Sequence, residues 1–414
     1  MEQELIPQLF KTEYRKIISV LCNLFGIVHI EIAEDITNDT FLLASETWGL
    51  KGIPKNPTAW LYTVAKNKTK DYFKRNKIFT DKIALDLKHT QVNSDEIEID
   101  LSDQNIKDSQ LQMIFAICNP IISIEAQIGL ALRILCSFGI EEISEAFLTN
   151  KETINKRLFR AKQKLKLANI KIKLPNEKEI DKRLEIVLKT IYLLFNEGYY
   201  SSTQNGTINK ELCSEAMRLT YLLTQNEKTD LPITNALLSL ICFHSSRFES
   251  RTDKNGEYLL YANQKRENWN LDLITKGEYF LNQSAKGNEI SKYHLEAGIA
   301  FWHTREIETT EKWENILQFY NQLLQIEYSP IIALNRTFAL SKANGKKIAL
   351  KEALKIDLSN NHLYHSLLAE LYDGIDNTKQ IESLNNALKL TKTENDRKIL
   401  QDKLEKASCQ QSRV

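Results

Sequence analysis

Apolar residues recur at helical spacing along almost the whole chain, and this pattern predicts a series of amphipathic helices. The first helix covers residues 5–25. The second, at 28–48, carries five acidic residues and no lysine or arginine. After a Gly/Pro loop, GLKGIPKNPT, a third helix carries six basic residues and one acidic residue between Trp60 and Lys77. An acidic helix followed closely by a basic one predicts two faces for two different partners.

A second basic segment lies at residues 142–166, EISEAFLTNKETINKRLFRAKQKLK. It predicts a short apolar helix from Glu142 to Phe147, a three-residue break, and then a helix with seven basic residues and one acidic residue. Thr149 and Glu152 stand at the spacing of a capping box, which would begin the second helix. Four residues of that helix form an apolar stripe for packing, namely Ile154, Leu158, Ala161 and Leu165.

Two helices joined in this way describe a helix-turn-helix, whose second helix enters the major groove of DNA. The alternative is a solvated basic helix on an otherwise unrelated helical protein, because short motifs also match by chance.

The remainder of the chain divides at two polar segments. Residues 81–108 hold eight acidic residues against three lysines and predict a linker after the third helix. Two more helices are predicted at 109–118 and 123–137, and a second short linker covers residues 171–179. Beyond Ile180 the pattern is helical almost to the end. There, 330–355 and 363–390 resemble paired helices of tetratricopeptide-like repeats of about 34 residues.

Composition supports an all-α fold and limits where nucleic acid could bind. Gly 13 and Pro 7 are low counts for 414 residues, which favours long helices with short connections. The net charge of +1 means that any affinity for nucleic acid must be local. Six scattered cysteines without a CxxC pair predict reduced thiols and a cytoplasmic location. The sequence shows neither a signal-peptide pattern nor a membrane span, so no membrane partner is expected.

The C-terminal half carries no nucleophile motif, metal-ligand spacing or phosphate loop, so we predict no enzyme activity, no catalytic residues, no metal and no cofactor. His362 and His365 share a helix face but have no evident third ligand. Two polar segments, Phe195–Tyr200 and 247–251, interrupt the apolar pattern. They are interpreted either as ties between helices or as part of a regulatory surface.

Three stretches in this order resemble a known family. The run AEDITNDTFLLASETW followed by NPTAWLYTVAKNKTKDYFKR resembles region 2 of extracytoplasmic-function (ECF) sigma factors of the sigma-70 family, and residues 140–166 are similar to their region 4. The segments IYLLFNEGYYSS, LCSEAMRL and ALNRTFAL resemble a subfamily with a long helical, tetratricopeptide-like C-terminal extension. The resemblance implies region 2 at 1–80, an acidic linker at 81–108, region 4 at 109–172 and a regulatory domain at 180–408.

The resemblance implies that core RNA polymerase and promoter DNA are the partners. The clamp helices of the largest polymerase subunit would contact the acidic helix at Asp35, Asn38 and Asp39. At two of these positions, Asn38 and Asp39, the family commonly has the longer Gln and Glu. A solvated acidic face is the alternative. Phe41 and Leu42 are expected to pack inside the region 2 bundle.

The basic helix would bind and open the −10 element. Polar side chains would contact phosphates and base edges, while aromatic side chains would either hold extruded bases or belong to the core. Trp60 and at least one tyrosine of this helix are expected to be buried. The predicted −10 residues are Trp60, Lys66, Asn67, Lys70, Asp71, Lys74 and Arg75.

The second helix of the helix-turn-helix would read the −35 element, and the polymerase flap would hold region 4 in place. Residues in its first two turns would reach bases, whereas Arg160 and Lys164 would meet phosphates. The predicted −35 residues are Thr149, Asn150, Lys151, Thr153, Lys156, Arg157, Arg160 and Lys164.

Other functions also fit part of the sequence. One is a helix-turn-helix regulator with a repeat sensor domain that acts without replacing sigma. Another is a repeat scaffold that does not bind DNA. The regulator leaves the acidic helix and the helix at 59–77 unexplained. A contact between the C-terminal domain and the sigma regions is a further hypothesis.

Overall fold

The computed structural model describes residues 2–75, 99–147, 149–199, 208–251, 259, 264–306, 308–391 and 393–411. Its described residues form helices and no strands, which confirms the all-α prediction. The chain divides into two compact units, unit 1 at Met1–Leu194 and unit 2 at Phe195–Val414. Most of the predicted linker, residues 81–98, lies outside the described residues. Its last six residues are helical, because the next helix begins at Asp103 rather than at 109.

Unit 1 contains seven complete helices among its described residues and the beginning of an eighth. They are α1 (Glu2–Phe25), α2 (Ile30–Lys51), α3 (Pro57–Arg75), α4 (Asp103–Ile117), α5 (Ile124–Leu130), α6 (Ile140–Ala146), α7 (Lys151–Leu167) and α8 (Ile180–Tyr199).

The buried face of α1 forms the centre of unit 1, where Tyr14, Ile17 and Leu21 have no exposed surface. The helices α2, α3 and α4 pack around it. Asn23 ties α1 to α4, since its side-chain amide donates to Ser109 at 3.3 Å and to Gln112 at 3.2 Å. Burial of one face of α1 therefore organises the first half of the chain.

A short π-helical turn, Ala131–Leu135, continues α5. It brings Arg133 to a position where its guanidinium donates to the carbonyl of Phe138 at 3.1 Å. The chain then reverses through Ser137, which has a φ of 61°. A π-helical turn changes the direction in which a side chain points relative to a regular α-helix, and here it changes the direction of the cationic side chain of Arg133.

Unit 2 is formed by the end of α8 and ten further helices among its described residues. They are α9 (Lys210–Leu223), α10 (Pro232–Ser245), α11 (Leu271–Ser284), α12 (Lys292–Thr304), α13 (Thr310–Ile326), α14 (Pro330–Asn344), α15 (Lys346–Ala353), α16 (His362–Tyr372), α17 (Asn377–Leu390) and α18 (Glu394–Gln411).

Most helices of unit 2 pack mainly on their neighbours in the sequence. Helices α14 and α15 coincide with the first predicted pair, and α16 and α17 with the second. Packing between sequence neighbours is typical of repeat arrays, and the tetratricopeptide-like assignment stays a prediction. Among the described residues, no single helix is both long and apolar enough to cross a membrane. One pair, Leu5–Phe25 with Ile27–Lys51, meets the criterion together but is bent by 119°.

The polar segment at the end of α8 ties helices of unit 2 together. The Tyr199 hydroxyl lies 3.0 Å from Nδ1 of His244, and the guanidinium of Arg251 lies 4.3 Å from the centre of the Tyr199 ring. Both Tyr199 and Phe195 are buried. These contacts favour the structural interpretation of this segment over a regulatory surface.

Unit 2 is expected to lose stability as the pH falls below about 6.5, the ordinary pKa of histidine. Burial lowers the pKa of His303 to about 3. Burial is also the main cause of the lowered pKa of His244, and the nearby charges add to it. Both rings are therefore neutral when folded, and the unfolded chain binds protons that the folded chain does not. The contribution of these two histidines to the free energy of unfolding is complete above pH 6.5 and is lost as the pH falls toward 3. At pH 5, His303 alone should cost about 2 kcal/mol.

Urea unfolding of the full chain at pH 5 to 7 measures this loss. Replacing Trp48 and Trp60 by Phe leaves tryptophans only in unit 2, so that fluorescence reports that unit. The slope of the unfolding free energy against pH gives the number of protons that the chain binds on unfolding. In this background, His303→Asn should lower that number by about one. An unchanged slope would contradict the assignment.

Candidate nucleic-acid interface

The predicted polymerase-binding residues share an exposed face of α2. Asp35, Asn38 and Asp39 are all exposed, while Ile36 and Phe41 are buried behind them. The prediction for Leu42 was wrong, because its side chain is 59% exposed. Leu42 follows the buried Phe41 by one residue, and that rotation around the helix turns it away from the core.

The helix α3 begins at a Pro in its first position, with the Asn56 side chain accepting from the N–H of Ala59 at 3.0 Å. Four residues at intervals of four face inward, namely Leu61, Ala65, Thr69 and Phe73. The predicted −10 residues occupy the remaining surface, where Asn67, Asp71, Lys74 and Arg75 are exposed and Lys66 and Lys70 are half-buried.

The aromatic side chains of α3 are less buried than expected. Trp60 is half-buried against Trp48, with ring centres 5.3 Å apart, and Tyr62 and Tyr72 are also half-buried. Phe73 does belong to the core and stacks on Phe25. The expectation that Trp60 and a tyrosine are buried was therefore wrong. Part of each ring stays at the surface, beside the basic side chains.

Tyr62 is held in one position by a carboxylate. Its hydroxyl donates to Glu13 at 2.7 Å, and Glu13 also accepts from Lys16 at 2.9 Å. Burial, followed by this hydrogen bond, raises the pKa of Tyr62. The phenol therefore stays protonated and ties α3 to α1.

A cleft of about 300 Å³ separates the exposed faces of α2 and α3. Asp35 and Asp39 line one side, and Asp71 and Arg75 line the other. An ion pair of 3.3 Å joins Asp39 to Lys68, a residue absent from the predicted site. The predicted polymerase-binding and −10 residues thus meet along one cleft, which was not evident from their separate positions in the sequence.

Helices α6 and α7 cover the segment predicted as a helix-turn-helix and pack on each other. The helix-turn-helix assignment itself stays a prediction. All four stripe residues of α7 are buried, with exposures from 0% to 4%. The capping prediction was wrong. Asn150 caps α7, with its side chain accepting from the N–H of Thr153 at 2.8 Å, while the N–H of Thr149 donates to the carbonyl of Ser144.

The predicted −35 residues surround the outward face of α7. Thr153, Lys156, Arg160 and Lys164 are exposed and line a concavity of about 400 Å³ together with the half-buried Arg157. Three other predicted residues lie at the N-terminal end of α7, namely Thr149, Asn150 and Lys151.

Two basic side chains on the exposed surface of α7 form ion pairs with acidic side chains. Lys151 pairs with Glu141 on α6, and Lys156 pairs with Glu152 one turn away at 2.6 Å. These pairs are exposed, so phosphate can compete for the cations at little cost.

Sequence reasoning missed one group of charges. Lys162, on the inward side of α7, forms an ion pair with Glu34 of α2, and Arg133 approaches the same carboxylate at 3.7 Å. The side chains of Lys162 and Glu34 are 14% and 11% exposed. The only signal in the sequence is a glutamate at a position that the helical pattern places on the buried side of α2.

Comparisons with known proteins match two segments of the chain and find a relative over most of its length. Residues 9–78 match the model of sigma-70 region 2, and residues 183–285 match a family of unknown function (DUF6596). An uncharacterized protein of Rhizobium meliloti (strain 1021) is 31% identical over 346 residues, which are 82% of this chain and 81% of that protein. No solved structure matches the chain.

The fold and the exposed charges define an all-helical protein with acidic and basic faces on separate helices. The chain belongs to the sigma-70 family. Sigma-70 region 2 implies binding to core RNA polymerase and to promoter DNA, and members of this family are not enzymes.

The observed cap gives a direct test at the start of α7. Asn150→Ala should leave the first-turn amides without their acceptor, at a cost of about 1 kcal/mol. Hydrogen exchange across residues 150–158 should therefore be about fivefold faster, as measured by mass spectrometry on the full chain. Thr149→Ala is the matched control and should leave exchange unchanged. Faster exchange in Thr149→Ala with unchanged exchange in Asn150→Ala would instead identify Thr149 as the cap.

Proposed function

We propose that the protein is an ECF-type sigma factor that directs core RNA polymerase to specific promoters. The observation that carries the proposal is the exposed basic face of α7, in a chain whose residues 9–78 match sigma-70 region 2. A region that binds polymerase and a separate basic helix of helix-turn-helix type together make a two-site promoter reader.

Region 2 contributes two faces to this function. The clamp helices of the polymerase bind the exposed Asp35, Asn38 and Asp39, whose oxygens can accept charge-assisted hydrogen bonds. On α3, the basic side chains neutralise phosphates of the −10 element, while Asn67 offers an amide to base edges. The half-exposed rings of Trp60 and Tyr72 provide surfaces on which unpaired bases can stack.

Helices α6 and α7 form region 4 and read the −35 element. In the first two turns of α7, Thr153, Lys156 and Arg157 contact the bases, whereas Arg160 and Lys164, further along the helix, contact phosphates. The polymerase flap holds this region on the DNA. A single helix-turn-helix on a chain with a net charge of +1 binds DNA weakly by itself, so specificity depends on the polymerase.

The helical C-terminal domain, with its tetratricopeptide-like repeats, modulates these activities as a regulatory domain in the cytoplasm. Packing between sequence neighbours in unit 2 supports this part of the proposal, since repeat arrays present extended surfaces to protein partners. The domain acts by binding, with no covalent chemistry, metal or cofactor.

Transcription with purified components tests the proposal. The full chain is mixed with core polymerase that lacks sigma, and transcripts from a promoter library are sequenced. Initiation from a defined set of promoters is the expected result. Binding to duplex DNA without initiation would instead favour a regulator that acts without replacing sigma. A chain that binds neither DNA nor polymerase would favour the scaffold alternative.

Loss of one phosphate contact on α7 should weaken promoter binding evenly across sequences. In the holoenzyme, Arg160→Gln should reduce the slope of log affinity against log salt by about 1. Lys166→Gln is the matched control, since it removes the same charge from the same helix on the side of Lys162. The slope is measured by fluorescence anisotropy with labelled promoter DNA. Equal slopes for the two variants would exclude Arg160 as a phosphate contact.

A further inference from the structure

Unit 2 contains a cavity of about 920 Å³ that the proposed function does not use. Five helices and the segment before α11 supply its walls. The lining residues of α14 lie between Leu334 and Lys342, and those of α16 lie between Leu363 and Glu370. On both helices they are separated by one, three or four positions, so each helix presents one face to the cavity. Small-molecule sites occupy about 300–1,000 Å³, and this cavity falls within that range.

One part of the wall is apolar and aromatic. Trp313 of α13 and Phe338 of α14 meet edge to face, with ring centres 5.7 Å apart. Phe338 is 37% exposed and Leu363 of α16 is 46% exposed. An occupant with an apolar body would cover this surface and remove it from water, which is favourable.

The charged side chains of the wall carry an excess of positive charge. They are three cations and two carboxylates, namely Arg266, Lys342, Lys403, Glu308 and Glu370. His303 also lines the cavity but adds no charge, because burial lowers its pKa to about 3. The charge balance of the wall therefore favours an anion over a cation.

The two carboxylates leave hydrogen-bonding capacity on these cations. Glu308 accepts from the buried Lys312 at 2.5 Å and from an adjacent indole N–H at 2.8 Å, so that both of its oxygens are engaged. Glu370 lies 3.9 Å from Lys342 and 3.7 Å from Lys403, which is longer than a hydrogen bond in both cases. One carboxylate thus faces two ammonium groups without a direct hydrogen bond to either.

Arg266 gives an independent indication that the wall is completed by a bound group. One terminal nitrogen of its guanidinium donates to the carbonyl of Arg305 at 2.9 Å, but Nη1 is buried without a hydrogen-bond partner among the described residues. Oε1 of Gln264, on the same wall, is likewise buried without a partner there. Buried polar atoms in native proteins nearly always have partners. A small rotation of the guanidinium would present Nη1 to an anion in the cavity.

We propose that this cavity binds a small organic anion, whose charged group is held by the cations of the wall and whose apolar body lies against Phe338 and Leu363. A carboxylate on a ring-sized body has this chemistry. Burial of apolar surface holds the body, and charge-assisted hydrogen bonds hold the charged group. The site is a property of unit 2 alone and does not depend on the proposed promoter function.

An anion in this position would join elements that are distant in the sequence. Most helices of unit 2 pack mainly on their sequence neighbours, whereas the cavity wall draws on residues from Gln264 to Lys403. Coupling between distant elements is otherwise weak in an array of this kind. Occupation of the cavity therefore stabilises the whole wall at once, and local opening at any part of the wall becomes rarer.

Binding of 2-naphthoate to the full chain tests the site. This probe carries one carboxylate on an apolar two-ring body, and 2-naphthamide is the matched uncharged probe. Isothermal titration calorimetry measures both affinities. The acid should bind about tenfold more tightly than the amide, because hydrogen bonds between charged partners are about twice as strong as neutral ones. Equal affinities, or no binding of the acid, would overturn the proposal.

Substitutions on the wall locate the two parts of the site. Lys342→Gln combined with Lys403→Gln should reduce the affinity for the acid about tenfold and leave that for the amide unchanged. Phe338→Ala should weaken both probes by a similar factor. Lys347→Gln combined with Lys398→Gln removes two exposed charges away from the cavity and is the matched control. If the acid bound the first double variant as tightly as the control, the assigned cations would be wrong.

Hydrogen exchange identifies the region that the probe protects. With 2-naphthoate at ten times its dissociation constant, exchange across residues 334–342 and 363–370 should be about tenfold slower. Residues 210–223 of α9, which do not line the cavity, should be unaffected. Protection that is confined to unit 1 would overturn the site.

A protein segment is the competing occupant of the cavity. A peptide of glutamate and tryptophan that protects the same residues, in a chain that does not bind 2-naphthoate, would replace the small anion by a protein partner and overturn the proposal. These measurements use neither polymerase nor promoter DNA. A failure of the anion site is therefore distinguishable from a failure of the proposed function, which transcription alone decides.

Discussion

Burial of one apolar stripe on each helix of unit 1 determines which of its charges are available to partners. On α7, Ile154, Leu158, Ala161 and Leu165 lie inward, and this orientation alone turns the basic face outward. The same holds for α3, where inward residues at intervals of four leave Asn67 at the surface. Fully burying a leucine-sized side chain is worth about 1.5–3 kcal/mol, more than an exposed ion pair contributes. The position of the exposed basic side chains therefore follows from apolar packing.

The network around Glu34 departs from this separation of apolar and charged faces. There the charges lie between helices, where a hydrophobic pair of similar size would be at least as stable. A charged contact of this kind adds little net stability, yet it is sensitive to any change in one partner.

Local features were predictable from the sequence, and long-range ones were not. The spacing of apolar residues gave the positions of α1, α2, α3 and α7, because helical periodicity is a property of neighbouring residues. The predicted cap of α7 was wrong by one residue. Thr149 and Asn150 are both suitable capping residues, and only the path of the chain after α6 selects between them. The prediction that Leu42 is buried was wrong because α2 buries a narrower face than its apolar residues suggested.

The groups that join distant segments left almost no trace in the sequence. Glu34 and Lys162 each look like an ordinary charged residue on an amphipathic helix, and a π-helical turn directs Arg133 toward them. The cleft between α2 and α3 likewise depends on the angle between two helices, which periodicity does not specify. The site residues could therefore be assigned to elements from the sequence, but their grouping into surfaces required the three-dimensional arrangement.

The separation of Glu34 from Lys162 along the chain also affects how the protein emerges from the ribosome. Synthesis of the 128 intervening residues takes about 6 to 26 s at ordinary rates of translation. While α1, α2 and α3 pack, and until Arg133 emerges, the carboxylate has neither of its cations and must stay hydrated. The helices of unit 2, which contact mainly their neighbours, can instead pack one after another as they appear. The nascent chain thus passes through a stage in which Glu34 is accessible before α7 exists to cover it.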